Sequence, residues 1–357
     1  MAGVEYADYL RLPQLLSAQA PESARGGEPA AHDELLFIVV HQAYELWFKQ
    51  ILHELDRIQA DFDAVPMRDA ALGRIVHGLA RIKAILDLVS RQIDVLETMT
   101  PLDFLDFRDL LRPASGFQSL QFRLIETRLG LTEEARVRFG GRSYVERLHP
   151  DERERMAEAE RGPKLFEQLE RWLARTPFVE AGGYAFDSAY REAVTEMLRR
   201  DLRQLQVTGG PDQQGEAEAL ERALAAFRAI FEPSAAPGAW RMQPRAVQAA
   251  LFITLYRDEP VLQAPFRLLS LLMDIDGAMT MWRYRHAGMV ERMIGIRTGT
   301  GGSSDHGYLR TTAERHRVFG DLFHLSTYLI PRSAIPALPP EVGERMGFAY
   351  ATPGALA

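Results

Sequence analysis

Apolar residues recur along most of this chain at steps of three and four residues, the spacing of one face of an α-helix. The spacing holds over several turns from Glu34 to Leu55 and again from Pro265 to Gly295. Clusters of proline and glycine, such as those at 208–215 and 233–238, separate the periodic segments. Neither an internal repeat nor an alternating strand pattern is present. The sequence therefore predicts an all-α fold.

The same pattern predicts how the chain is organised. Residues 1–31 are expected to form an N-terminal arm, in which 20–31 is a flexible link rich in alanine, glycine and proline. Residues 32–340 are expected to form a helical bundle domain. A small helical subdomain is expected to be inserted at about 132–238, where the sequence is more polar, and residues 341–357 to form a C-terminal tail.

Composition excludes several classes of protein. The chain has 357 residues, 46% of them hydrophobic, which is enough for a large core, and its formal charge of -7 argues against a nucleic-acid binder. With no cysteine there can be no disulfide, iron–sulfur cluster or thiolate-bound metal. The N-terminus lacks the apolar stretch of a signal peptide, and no segment is apolar enough to span a membrane. We therefore expect a cytoplasmic protein without a membrane partner.

Two histidines lie on apolar helical stripes. His286 shares its stripe with Trp282 and Met289, and His41 lies in the apolar run that follows Phe37. By spacing alone, each is most simply a core histidine that is hydrogen-bonded to a carbonyl. An apolar wall with one imidazole would also suit an axial ligand of haem iron. If both histidines face one site, one could hold the iron while the other meets the ligand.

Two further patterns each allow two interpretations. Phe104 and Arg108 lie four residues apart on one helix face. The spacing favours an exposed arginine covering the ring, over an aromatic wall beside a guanidinium that binds a carboxylate. The run Gly299-Thr300-Gly301-Gly302-Ser303-Ser304 could be a helix end followed by a loop, or a closing loop whose Thr300 hydroxyl meets a polar group of the ligand.

Several segments, in the same order along the chain, resemble the tryptophan 2,3-dioxygenase family. The resemblance covers nearly the whole chain, from Tyr6 to about Pro340. The segments are Tyr6-Ala-Asp-Tyr9-Leu10, the run from His32 through His41 to Lys49, Leu96-Glu-Thr-Met-Thr-Pro, Asp106-Phe-Arg108, the run from Pro113 through Ser115 to Arg123, Met281-Trp-Arg-Tyr-Arg-His286, Gly299-Thr-Gly-Gly-Ser-Ser304 and the run from Leu322 to Arg332.

The resemblance implies an enzyme with one haem b per subunit, bound in the core of the helical bundle. Such an enzyme cleaves the C2–C3 bond of the indole ring of L-tryptophan with O2, inserts both oxygen atoms and gives N-formyl-L-kynurenine. This reaction is the first step of the kynurenine pathway of tryptophan degradation. The resemblance also implies a homotetramer.

The resemblance assigns a role to each candidate residue. His286 aligns with the proximal ligand of the haem iron, and His41 with the distal histidine that meets the indole N–H. The remaining positions concern the substrate: Phe37 and Phe104 match the indole pocket, Arg108 the carboxylate-binding arginine, Thr300 the loop residue that meets the ammonium, Ser115 a polar residue near the haem edge, and Tyr6 and Tyr9 aromatic residues that reach a neighbouring subunit's pocket.

The chain departs from the family pattern at two places. Asp305 and His306 follow the glycine-rich run, where longer members usually have a small or aromatic residue, and Phe104 stands where some members carry tyrosine. Two rival functions also remain open. A related haem enzyme could transfer one oxygen atom instead of two, and a non-catalytic helical interaction protein would be colourless.

Overall fold

The computed structural model describes residues 3–114, 116–137, 144–181, 183–208, 213–231, 240–295, 297, 311–313 and 315–347. Helices account for most of the regular structure in these ranges. They are α1 (Tyr6–Tyr9), α2 (Leu12–Leu16), α3 (Glu34–Asp63), α4 (Asp69–Leu96), α5 (Pro101–Arg108), α6 (Leu120–Leu129), α7 (Pro150–Arg161), α8 (Leu165–Leu173), α9 (Phe186–Thr208), α10 (Gln213–Ala229), α11 (Pro244–Leu255), α12 (Pro260–Ile294), α13 (Gly320–His324) and α14 (Pro340–Gly343).

Short 3-10 turns and one small hairpin complete the regular structure. The turns lie at Glu22–Ala24, Asp109–Leu111, Gly116–Gln118, Tyr144–Arg147, Leu325–Tyr328 and Arg332–Ala334. In the hairpin, β1 (Glu180–Ala181) pairs antiparallel with β2 (Tyr184–Ala185). The prediction of an all-α fold is confirmed. The hairpin was not predicted because strands of two residues are too short to show an alternating pattern.

The chain divides into two compact units. Unit 1 consists of Met1–Arg57, Ala80–Lys164 and Ile275–Val318, and unit 2 of Ile58–Leu79, Leu165–Asp274 and Phe319–Ala357. The boundary after Lys164 falls within the predicted insertion at about 132–238. The arm, the domain at 32–340 with its insertion, and the tail remain predictions.

In unit 1, side chains link α3, α4, α6 and α12. The carboxylate of Glu45 on α3 accepts hydrogen bonds from Ser119 Oγ at 2.7 Å and from Gln121 Nε2 at 2.8 Å. Arg285 on α12 donates to the Ser90 carbonyl of α4 at 2.7 Å. These contacts hold the elements that carry the predicted site residues.

Unit 2 has an aromatic core. Phe186 packs edge-on against Phe252 with ring centroids 5.2 Å apart, and Phe252 contacts Tyr256 at 4.9 Å. The Tyr190 hydroxyl donates to the Tyr328 carbonyl at 2.6 Å, so its buried polar atom is satisfied.

Within the described residues, no helix is both long enough and apolar enough to cross a bilayer.

The segment before α3 differs from the predicted flexible link. It contains the 3-10 turn at Glu22–Ala24, and the buried carboxylate of Glu34 accepts hydrogen bonds from the backbone N–H groups of Glu22 at 2.7 Å and Ser23 at 3.0 Å. Composition predicted a link without contacts. It could not reveal that a glutamate at the start of α3 would bind the backbone of this turn.

Proline positions also differ from expectation. The sequence predicted a helix from Pro265, whereas α12 begins at Pro260 and continues across Pro265. Pro260 and Pro101 both stand in the first turn of a helix, where the missing backbone N–H costs little. The helix survives at Pro265 because its apolar face is buried, with Leu268 and Leu272 fully inaccessible.

Candidate active site

Unit 1 contains every predicted site residue that the structure describes. His41 and Phe37 lie one turn apart on α3, Phe104 and Arg108 lie one turn apart on α5, and His286 lies near the end of α12. These three helices are widely separated in sequence. The parts of these helices that carry the site residues all belong to unit 1.

His41 is held in one tautomer by its own helix. Its Nδ1 lies 2.7 Å from the Phe37 carbonyl oxygen. A carbonyl oxygen only accepts, so Nδ1 carries the proton and Nε2 of the neutral ring carries the lone pair. Burial lowers the pKa of His41, against smaller opposite effects of the Phe37 carbonyl and Glu45. The neutral ring therefore presents an acceptor at Nε2.

His41 is also an exposed side chain although protein surrounds much of it. Accessible surface is retained by its ring, while desolvation is the largest influence on its pKa. A core histidine would have no accessible surface, so the simplest interpretation of the spacing does not hold at this position.

Aromatic rings form a wall beside His41. The Phe37 ring lies 4.1 Å from the His41 ring and stacks on Phe104 at 5.7 Å between centroids. Phe107, which is fully buried, meets Phe104 edge-on at 5.4 Å and Phe37 at 5.7 Å. Phe37 and Phe104 are half-buried. The wall therefore has a buried backing and an accessible face suited to a flat apolar group.

The burial of Arg108 differs from the exposure that its spacing favoured. The pattern with Phe104 favoured an exposed arginine, but only 6% of Arg108 is accessible. Helix α5 ends at this residue, so its guanidinium is carried by the last helical turn rather than by a solvated face. A buried guanidinium beside an aromatic wall is well suited to binding a carboxylate, because low dielectric strengthens a charge-assisted hydrogen bond.

A capping box fixes the start of α5. The Thr100 hydroxyl accepts from the Asp103 backbone N–H at 3.3 Å, and the Asp103 carboxylate accepts from the Thr100 backbone N–H at 3.0 Å. The Thr100 hydrogen bonds hold the pKa of Asp103 below its usual value. Because α5 has only eight residues, this cap determines where Phe104 and Arg108 stand.

His286 is stacked on a tryptophan of the preceding helical turn. The Trp282 and His286 rings are 5.4 Å apart and within 9° of parallel. Burial lowers the pKa of His286 to about 4, and the charge of His41 contributes in the same direction. His286 is thus neutral at neutral pH.

A continuous series of rings joins the two histidines. Tyr44 meets the His41 ring edge-on at 6.2 Å and the Trp282 ring edge-on at 6.2 Å, and Trp282 stacks on His286. Burial raises the pKa of Tyr44 to about 12, so its hydroxyl stays protonated. The two helices that carry the histidines are therefore packed through aromatic contacts next to both imidazoles.

Comparison with known proteins gives the family. The family model described as tryptophan 2,3-dioxygenase matches residues 1–329. The chain belongs to the tryptophan 2,3-dioxygenase family. It is 47% identical to a tryptophan 2,3-dioxygenase of Bdellovibrio bacteriovorus over 357 residues, covering 97% of this chain and 99% of the relative.

Relatives from distant organisms match the chain over similar lengths. A tryptophan 2,3-dioxygenase of Dictyostelium discoideum is 43% identical, over 98% of this chain and 89% of its own. Tryptophan 2,3-dioxygenase B of Danio rerio is 44% identical, over 95% of this chain and 85% of its own. The family resemblance of the sequence is confirmed, and with it the predicted class of enzyme, an oxidoreductase that acts as a tryptophan dioxygenase.

The histidine pair fits haem better than a bare metal ion. Within the residues that the structure describes, no group of three or more histidine, aspartate or glutamate side chains could hold a metal ion. Haem needs only one donor from the protein, because the porphyrin supplies four others. His286 and His41 are two neutral imidazoles on separate helices, flanked by flat aromatic rings. The chemistry of these residues fits a haem group that His286 would hold.

For the other predicted site residues, the described part of the chain shows no contact with the site. Thr300, with the rest of the glycine-rich run and Asp305-His306, lies outside the described residues, as does Ser115. Tyr6 and Tyr9 lie on α1, and each is 75% exposed. The roles of all the site residues remain predictions, which the next subsection takes up.

Sequence reasoning gave no site role to two residues that line the site. Phe107 backs the aromatic wall, and its spacing of three residues from Phe104 was a usable signal. Trp282 stands four residues before His286, and its stacking on the imidazole could have been inferred from that spacing. A third group surrounds the buried Glu126 of α6. The i, i+3 spacing of Arg123 was a local signal, but Arg283 lies far away along the chain, so the cluster as a whole was not predicted.

Proposed function

We propose that this protein is a haem-dependent dioxygenase that cleaves the indole C2–C3 bond of L-tryptophan and gives N-formyl-L-kynurenine. One observation carries the proposal: His41 and His286, on different helices, are joined by the Tyr44 and Trp282 rings, and His41 lies beside the Phe37–Phe104 wall. Each residue of this arrangement would have a separate role in the reaction. As in the family resemblance, the reaction would be the first step of the kynurenine pathway.

His286 would hold haem b through its unprotonated imidazole nitrogen. Its lowered pKa keeps that nitrogen free of a proton at neutral pH, and the parallel Trp282 ring restricts rotation of the imidazole. When bound, ferrous haem supplies the electrons that make O2 reactive towards the indole. We infer one haem per subunit, as the family resemblance implies.

His41 would orient the indole. Its Nδ1 proton is committed to the Phe37 carbonyl, so Nε2 is the nitrogen that can accept a hydrogen bond from the indole N–H. The indole would lie against Phe37 and Phe104, whose accessible faces match its flat apolar surface. This arrangement excludes water from the ring and holds its N–H proton at a defined atom.

Arg108 would bind the carboxylate of the amino acid. L-Tryptophan is a zwitterion, and burying it requires a partner for each of its charges. The buried guanidinium of Arg108 can bind a carboxylate through two parallel N–H groups. From the family pattern, Thr300 would meet the ammonium group and Ser115 would lie near the haem edge.

Self-association is the remaining part of the proposal. Tyr6 and Tyr9, each 75% exposed, form an aromatic surface on the arm that a monomer would leave in water. Leu46 of α3 and Met281 of α12 are 53% and 57% exposed. Such surfaces support a homotetramer in which the arm of one subunit covers the substrate pocket of another. A cytoplasmic location, favoured by the absence of cysteine, completes the proposal.

The absorption spectrum of the purified protein tests the haem assignment. We expect a Soret band in the wild type and its loss in His286→Ala. The control is His53→Ala, which removes an exposed histidine of α3 and should leave the band unchanged. A colourless wild-type protein after haem supplementation, or a band that persists in His286→Ala, would overturn the assignment and favour a non-catalytic helical protein.

The mass of the product tests the reaction. Reduced enzyme supplied with O2 and L-tryptophan should give a product heavier by two oxygen atoms, with both labelled when the gas is labelled. A gain of one oxygen atom would instead indicate the related monooxygen transfer. No turnover by haem-loaded enzyme would contradict the proposed activity while leaving the haem site intact.

A further inference from the structure

Glu126 of α6 is the centre of a buried ionic cluster in unit 1. Only 1% of it is accessible, and its carboxylate contacts Arg123 Nη1 at 3.0 Å, Arg136 Nη1 at 2.8 Å and Arg283 Nη2 at 2.8 Å. Burial alone would raise the pKa of Glu126, but the three guanidinium groups, together with His316, hold it well below its usual value. Glu126 is therefore an anion that joins α6 to distant parts of the chain.

His316 completes the cluster in one tautomer. Its Nε2 lies 3.1 Å from the Val137 backbone nitrogen, whose N–H can only donate. Its Nδ1, 3.3 Å from Glu126 Oε1, must then carry the proton of the neutral ring. Arg283 also donates to the His316 carbonyl at 3.2 Å. The cluster thus has directional hydrogen bonds and allows only one arrangement of its members.

Arg283 belongs to the same turn of α12 as Trp282 and His286. It lies three residues before His286, and its guanidinium is 5.8 Å from the centre of the Phe122 ring. Phe122 of α6 in turn contacts the Trp282 ring at 5.0 Å. An ion pair and a ring contact therefore connect α6 to the turn of α12 that carries the His286 side chain.

We propose that Glu126 is a positioning residue for His286, acting through Arg283 and Trp282 to fix the imidazole plane towards haem iron. The proposal rests on the haem function proposed above. Helix α12 by itself determines where His286 lies along the helix, but it does not determine how this turn of α12 is aligned against α6. The Glu126–Arg283 pair and the Phe122–Trp282 contact fix that register from two sides. Outer contacts of this kind determine how strongly a ligand holds its metal.

Two variants test this role. Glu126→Gln keeps the shape and removes the charge, and Arg283→Lys keeps the charge and removes the forked N–H groups. The matched control is Glu54→Gln, because Glu54 is likewise buried and pairs with Arg81 at 2.7 Å, on α3 and α4. Circular dichroism would establish which variants fold. Should Glu126→Gln not fold, Arg283→Lys carries the test.

The readouts are the iron–imidazole stretching band of the ferrous protein, by resonance Raman, and the rate of haem transfer to a scavenging globin. We expect a shifted band and haem loss faster by about tenfold or more in both variants, with neither change in Glu54→Gln. An unchanged band and rate in a folded variant, or equal changes in Glu54→Gln, would overturn the proposal. Failure of the wild type to bind haem through His286 would instead refute the proposed function.

Discussion

At the scale of single residues, burial decides which of two chemical roles a side chain can have. Arg108 is 6% accessible, whereas Arg112, four residues later, has a side chain 56% exposed and pairs with Asp109 at 3.3 Å. The two arginines look equivalent in the sequence. Only the buried one can bind a carboxylate out of competition with water.

Replacing Arg108 should therefore weaken substrate binding. We expect Arg108→Ala to cost at least about 3 kcal/mol in L-tryptophan binding, because the substrate carboxylate would be buried without a partner. Titration of the haem spectrum with L-tryptophan measures the affinity. Arg112→Ala is the control and should bind normally. An Arg108→Ala enzyme with wild-type affinity would show that the carboxylate binds elsewhere.

His316 should make stability depend on pH. Burial is the main influence that lowers its pKa; Arg283 and Arg136 act in the same direction, against Glu126. In the unfolded chain the imidazole binds a proton near pH 6.5, whereas in the folded protein it stays neutral at that pH. The free energy of unfolding therefore falls as the pH drops below 6.5, until the lower pKa of the folded state is passed. Glu126 adds a further loss below its usual pKa of 4.5.

The slope of Tm against pH between about 7 and 5 measures this effect together with those of His41 and His286, whose pKa values burial also lowers. His316→Gln should reduce the slope without abolishing it, because the amide does not titrate whereas the other two histidines still do. The exposed His53 provides the control, and His53→Gln should keep the wild-type slope. A slope that is the same in all three proteins would mean that His316 takes up its proton equally in the folded and unfolded states.

At the scale of elements, short helices depend on their caps more than long ones do. Helix α3 has 30 residues and buries an apolar face that includes Ile51 and Leu55. Helix α5 has eight residues and relies on the Thr100–Asp103 capping box at its start. Because α5 carries Phe104 and Arg108, weakening its cap should affect substrate binding as well as the free energy of unfolding.

Thr100→Ala should lower the free energy of unfolding by about 1 kcal/mol and also weaken L-tryptophan binding. Urea unfolding and substrate titration measure the two effects. Thr98→Ala is the control, because its exposed hydroxyl bonds only within the end of α4 and caps nothing in α5. If Thr100→Ala lost stability but kept full affinity, the cap would not position the site.

At the scale of the whole molecule, the proposed role of Tyr6 and Tyr9 in a neighbouring subunit's pocket predicts that each site needs two subunits, and both side chains are exposed as this role requires. Arg108→Ala subunits have intact arms, and Tyr6→Ala/Tyr9→Ala subunits have intact pockets. Each variant alone should be nearly inactive, because one lacks the carboxylate partner and the other lacks the residues that cover the neighbouring pocket.

Mixing the two variants under conditions that allow subunit exchange should therefore restore part of the activity. In mixed oligomers, some intact pockets receive an intact arm. Sedimentation would establish the oligomeric state, and Arg108→Ala mixed with itself is the control. No recovery in oligomers proven to be mixed would show that the arm does not act on a neighbouring subunit.

The sequence by itself determined the fold class, the family and the helices that carry the candidate residues. Periodicity and composition were sufficient for these because helical spacing is local and the family motifs are contiguous. The same local signals gave His41 and His286 as candidates but left each open as a core histidine. The exposure of His41, and the Tyr44 and Trp282 rings that join the two imidazoles, distinguish them from unrelated core residues.

Only the tertiary structure decided the rest. It buried Arg108 where the spacing favoured exposure, replaced the expected flexible link by a turn bound to Glu34, and joined Glu126 to Arg136, Arg283 and His316. The contacts of Glu126 with Arg283 and His316 join segments far apart along the chain. Burial and charge pairing are properties of what surrounds a side chain, and a sequence pattern read along one helix does not specify those surroundings.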